Sequence, residues 1–151
     1  MQFLYLLIST LVVIADQGLK FYINNNFHLG EVHQLIPGIL SLTYVQNNGA
    51  AWNLLSGQMW LFYCISIVAI GVCLYFLFNS KYKNVCFDIG ISLVLGGIIG
   101  NFIDRLHLKY VIDMLQLDFI NFNIFNIADS AITIGVILVF IYLLFFEGKK
   151  Q

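Results

Sequence analysis

Four stretches of this chain are apolar for long enough to cross a bilayer, and they limit the fold more than anything else in it. They run from about Phe3 to Ile23, Trp60 to Phe78, Val85 to Phe102 and Ile127 to Phe146. Roughly 20 residues of helix span a hydrocarbon core. Backbone polar groups find no water there, so each stretch must satisfy its own N–H and C=O groups as a helix. With 60% hydrophobic and 10% charged residues among 151, the chain is too apolar for a soluble domain of its size. It reads as a single membrane-embedded domain over residues 1–151, an all-α membrane protein of four transmembrane helices. The first run lacks a basic leader and holds Asp16 and Lys20 where a cleavage site would fall, so it is expected to stay as a span rather than be removed as a signal peptide.

The segment from Asn24 to Gly57 differs in kind. It is polar at its start and holds the only proline, Pro37, followed by Gly38. Ile39 to Gln46 is rich in β-formers and alternates in character, which predicts a strand after a Pro-Gly turn, reversing at Asn47, Asn48 and Gly49. The expectation is a small extracytoplasmic β-containing module. Orientation follows from charge. Lys81 and Lys83 fall between the second and third spans and Lys149 and Lys150 follow the fourth, whereas no Lys or Arg occurs between Phe21 and Gly57. Cationic loops stay cytoplasmic, so both termini are expected there and the β-containing module on the outside, with Arg105 and Lys109 as local exceptions.

Composition removes several function classes. A net charge of −1 with seven Lys and Arg gives no basic patch for nucleic acid. Cys64, Cys73 and Cys86 lie in or beside apolar runs, where they read as small apolar filler and not as a disulfide or zinc framework. His28 and His33 lack a third ligand at metal spacing, and His107 has no evident serine or cysteine partner for nucleophilic catalysis. Gly96 and Gly100 give a small-xxx-small face for close helix packing, and Asp88 reads as an interfacial residue near the start of the third span.

What remains is a set of acids and amides at span ends. Asp16 and Lys20 stand four apart, so they share a helix face and can pair, acid with base, near the membrane surface. Asn101 and Arg105 do likewise, beside Asp104, and Asp113 and Asp129 flank the gap before the fourth span. Ionisable groups at such places usually face a partner or a water-filled cavity. If Asp113 and Asp129 meet across one water they can share a proton, one acting as acid and the other as base. The residues alone fit an aspartic hydrolase, a proton- or ion-coupled transporter, or a structural protein with interfacial charges. The transporter is disfavoured because the acids gather at one surface and no internal repeat is visible.

The motifs GNFIDR (100–105), YVIDM (110–114) and FNIADS (125–130), with ADQGLK (15–20) and LSLTYVQNNGAAW (40–52), together resemble the lipoprotein signal peptidase (signal peptidase II) family of aspartic peptidases. The resemblance covers nearly the whole chain. It implies removal of the signal peptide from bacterial prolipoproteins by cleavage on the amino side of a diacylglyceryl-modified cysteine, in the bacterial inner membrane with the active site on the extracytoplasmic face. It implies Asp113 and Asp129 as the catalytic pair, without cofactor or metal. Asn47, Gly49, Ala51, Asn101, Asp104, Arg105, Asn126, Asp16 and Lys20 are implied as supporting or substrate-contacting residues, with membrane lipid as surroundings. Trp52, Asn53, Lys109 and Met114 depart from the family pattern, which bears on the shape of the substrate groove and leaves the acids untouched.

The topology has a direct test. A cysteine introduced as Asn25→Cys should react with an impermeant thiol reagent added from outside, and Asn84→Cys should be protected; the reverse pattern inverts the assignment.

Overall fold

A computed structural model describes residues 2–49, 55–79 and 84–146. Four helices, α1 (Gln2–Asn26), α2 (Met59–Phe78), α3 (Val85–Leu108) and α4 (Ile127–Phe145), are each long and apolar enough to cross a membrane. Three strands, β1 (Val32–Ile36), β2 (Leu40–Asn47) and β3 (Val111–Leu117), form an antiparallel sheet in the order β1-β2-β3. Ala51, Trp52 and Asn53, and Lys81, Lys83, Lys149 and Lys150, lie outside the described residues.

α3 is the central helix. It packs against α1, α2 and α4, and 56% of its most apolar stretch is buried, against 22% for each of the others. Glycine makes this possible. A Cβ on Gly96 would stand 2.7 Å from the Ser9 carbonyl oxygen of α1, and one on Gly100 would stand 2.6 Å from Asp16 Oδ2. On the opposite side, Gly90 meets the Gly135 carbonyl of α4 and Gly97 lies against the Ala128 carbonyl. The expected Gly96–Gly100 face therefore packs on α1, and a second glycine pair serves α4. Ser9 Oγ donates to the Ser92 carbonyl at 2.8 Å across the first of these contacts. With no lipid-exclusion force between apolar helices, such close approach is what holds them together.

The Pro37-Gly38 turn is present, with Gly38 at φ 72°, and it joins β1 to β2. After Asn47 the chain bends but gains no partner strand there; the second neighbour of β2 is β3, which pairs Val45 with Asp113 and Asn47 with Val111. β3 was not expected from the sequence. Its first four residues, Val111 to Met114, are all buried, so the half-buried alternation that marks an ordinary strand is missing. Ile112 and Met114 pack with Ile23, Leu42 and Tyr44, seating the sheet on the end of α1. The third helix also runs past its expected end at Phe102 to Leu108, where Lys109 stops it in the left-handed region at φ 68°. The charges at Asp104 and Arg105 read as an end; they lie instead on the helix's packed side. Asp88, in the first turn of α3, is buried within the protein at 7% exposure. Of the cysteines, Cys73 joins the core with Leu77, Phe87 and Leu95.

The packing argument predicts an asymmetry among glycines. Gly97→Ala should lower stability by about 1–3 kcal/mol, the usual result of overpacking, while Gly71→Ala, with nothing within 4 Å of the new Cβ, should be neutral or slightly stabilising. Thermal unfolding of both variants in one detergent gives the comparison.

Candidate active site

Asp113 lies in the middle of β3 and Asp129 in the first turn of α4. Asn126 joins them. As the N-cap of α4, its side chain accepts from the Asp129 N–H at 2.9 Å, and Asp129 Oδ2 accepts from the Asn126 N–H at 3.2 Å, a reciprocal capping box. The Asn126 amide nitrogen is then free to donate to Asp113 Oδ1 at 2.7 Å. One buried residue thus bonds both carboxyl groups, that of Asp113 through its side chain and that of Asp129 through its backbone N–H. Each acid has a second donor: Asn101 Nδ2 to Asp129 Oδ1 at 2.8 Å and Asn47 Nδ2 to Asp113 Oδ2 at 3.0 Å. Asn47 is fixed in turn by accepting from the Gly49 N–H at 2.9 Å.

Behind this lies a buried ion triad. Lys20 Nζ is 2.8 Å from Asp16 and 2.9 Å from Asp104, with all three side chains at most 3% exposed. Asp16 Oδ1 accepts from the Ala128 N–H at 2.9 Å, and Asp104 Oδ2 from the Ile112 N–H at 3.0 Å. Each acid of the triad therefore grips the backbone of the residue just before Asp129 or Asp113. Lys20 also donates to Asn101 Oδ1 at 2.9 Å, which orients the Asn101 amide so that its nitrogen faces Asp129. The expected Asp16–Lys20 pair is present and its side chains are buried within the protein.

Asp113 and Asp129 open onto a cavity of about 530 Å³ walled by Phe122, Phe125 and Ile132 and reached by Asn47, Asn101 and Arg105. The Asp113 carboxyl is pushed up to about 7, first by burial and then by the charge of Asp129, against the opposing hydrogen bonds from Asn47 and Asn126. Arg105 donates to the Gly49 carbonyl at 3.3 Å and lies over the Phe62 ring at 4.7 Å, while its Nε is buried without a partner among the described residues.

The structure gathers Asp16, Lys20, Asn47, Gly49, Asn101, Asp104, Arg105, Asp113, Asn126 and Asp129 around one site; Ala51 is outside the described residues. Sequence reasoning passed over Gln17, whose amide donates to Asp104 Oδ1 at 2.9 Å and to the Gly100 carbonyl at 3.1 Å. An amide inside an apolar run, three residues before Lys20 and so on its face, was the available signal. Phe62 offered none, being one aromatic among many.

Comparison with known proteins places the chain in a family. The family model of signal peptidase (SPase) II matches residues 8–145. The chain belongs to the signal peptidase II family. It is 74% identical over 148 residues to the lipoprotein signal peptidase of Lactobacillus gasseri, covering 98% of this chain and 96% of that one. It is 51% identical to that of Enterococcus faecalis, covering 97% and 91%. Two solved structures, each titled a bacterial membrane enzyme, superpose with TM-scores of 0.92 and 0.87 at 40% and 41% identity, covering 97% and 94% of this chain and 91% and 93% of theirs. This signal peptidase II is thus a multi-pass bacterial membrane enzyme and an aspartic peptidase, and the transporter reading finds no support.

The triad makes a quantitative prediction. Lys20→Met leaves two buried acids facing each other and should destabilise the peptidase by about 3–5 kcal/mol. Lys109→Met, which removes exposed contacts to the Tyr63 hydroxyl and ring and to the Leu106 carbonyl, should change stability by less than about 1 kcal/mol. Thermal unfolding distinguishes them.

Proposed function

We propose that Asp113 and Asp129 are the catalytic pair of this peptidase and that together they hold one proton at neutral pH. The observation that carries this is Asn126, whose side-chain amide donates to the Asp113 carboxyl while its backbone N–H donates to the Asp129 carboxyl. The ionised member takes a proton from a water molecule, whose oxygen attacks the scissile carbonyl. The protonated member gives its proton to the departing amide nitrogen as the C–N bond breaks. The products are the carboxyl-terminated signal peptide and a free α-amino group on the cysteine, and no covalent enzyme intermediate is formed. Burial and mutual repulsion keep the pair singly protonated, as they do in other carboxylate pairs.

The substrate is a prolipoprotein whose cysteine carries a diacylglyceryl group. The apolar cavity beside the acids suits the lipid and the end of the hydrophobic signal segment, and Arg105, Asn47 and Gly49 stand at its mouth to orient polypeptide. In this reading residues 1–151 are one membrane-embedded domain in the bacterial cytoplasmic membrane, with the sheet and the paired acids on the extracytoplasmic face. The module between α1 and α2 and the strand β3 then form the outward wall of the site.

Asp113→Asn and Asp129→Asn should each abolish cleavage of a diacylglyceryl-modified prolipopeptide while the protein still inserts and unfolds cooperatively, and the double variant should be no worse than either. The pH profile of kcat/KM should be bell-shaped. Because the Asp113 carboxyl is raised to about 7, the proton needed by the leaving nitrogen is present below that pH and lost above it, so activity should fall as pH rises past neutrality. A wild-type rate in Asp113→Asn refutes the assignment.

A further inference from the structure

Asp113 opens onto two cavities, not one. Besides the apolar cavity, a cleft of about 490 Å³ lies on the other side of the acid, and the two share Asn47, Asp113, Asn123 and Ile124 as a common wall. Their characters differ. The first is lined by Leu117, Phe122, Phe125, Ile132 and Ile134 and continues onto a side of α4 where Ile134 and Ile137 are each 52% exposed. The second is lined by Val45, Gln46, Asn47 and Asn48 at the end of β2 together with Asn123 and Ile124, and among the described residues Asp113 is its one ionisable residue.

A peptide bond held at Asp113 must leave the site in two directions. The segment before the bond is hydrophobic, and the cysteine after it bears the lipid; both suit the apolar cavity. Beyond the cysteine the chain is water-soluble and has to depart from the membrane, and of the two cavities only the cleft reaches Gln46 and Asn48 at the end of β2. Resting on the reaction proposed above, we infer that the cleft between Gln46–Asn48 and Asn123 is the subsite for the first residues of the mature lipoprotein. Its ligand is a short extended polypeptide with small, uncharged polar side chains. Amide groups both donate and accept, so they pair with peptide backbone and with serine- or asparagine-like side chains without demanding one residue. Asp113, when ionised, disfavours acidic residues there.

The inference predicts that charge placed in this cleft will be read by the residues after the cysteine. Three diacylglyceryl-modified peptides with the same signal segment and cysteine, continuing as Ser-Asn-Ser, Glu-Asn-Glu or Lys-Asn-Lys, are compared on the wild type and on Asn48→Asp, Asn48→Lys, Asn123→Asp and Asn123→Lys. Gln34→Asp, exposed on β1, controls for the general field of the sheet. In the Asp variants the ratio of kcat/KM for the Lys peptide over the Glu peptide should rise about tenfold, and in the Lys variants it should fall by about as much, as one close charge pair in a partly screened cleft would give. Ratios within one variant cancel any effect of the new charge on the paired acids. Ratios that stay at the wild-type value in all four variants, or that shift as far in Gln34→Asp, overturn the subsite while the reaction stands. Failure of the wild type to cut any of the three peptides overturns the reaction and the subsite with it.

Discussion

A lysine and two aspartates buried together inside an apolar bundle are the constraint on which the rest of this structure depends. Any one of these charges alone would be very unfavourable there, and removing a single partner leaves the others exposed to that penalty. The three can be satisfied only if α1 and α3 approach closely at Gly100 and if the backbone N–H groups of Ala128 and Ile112 complete the acids' shells. Helix packing, the seat of the sheet and the start of α4 are therefore tied to one cluster. The paired acids inherit their positions from it, one residue further along in each case.

Asn126 shows how little is needed once that frame exists. It caps α4, accepts from the Asp129 backbone, and donates to Asp113. An asparagine is required because the same side chain must accept on one atom and donate on the other. Aspartate would lose the donor, and serine would be too short to bridge strand and helix.

The helices, the Pro-Gly turn and the clustering of the charged residues were legible because they are signalled locally: apolar runs of fixed length, a Pro-Gly pair, and charges where charges are costly. Most of what was missed is non-local. β3 carries no alternation because it is covered on both sides, and its partner strand lies far back in the chain. The last turns of α3 were cut short because Asp104 and Arg105 look like the edge of a span until their partners on α1 and at Gly49 are known. Gln17 was overlooked for the same reason, since its acceptors are on another helix. The resemblance to a family supplied residues such as Asn47 and Gly49, which residue chemistry alone assigned to a turn.

The wiring of the ion cluster also bears on how the protein is put together. Asp16 and Lys20 lie within α1 and can neutralise one another as soon as that helix forms, so the first span can enter the membrane without an unpaired charge. Asp104 arrives with α3, β3 can then pair with the waiting β2, and the Ala128 N–H comes last with α4. Asp113 and Asp129 are consequently among the last groups to be placed. A chain interrupted at any earlier span holds no assembled pair of acids.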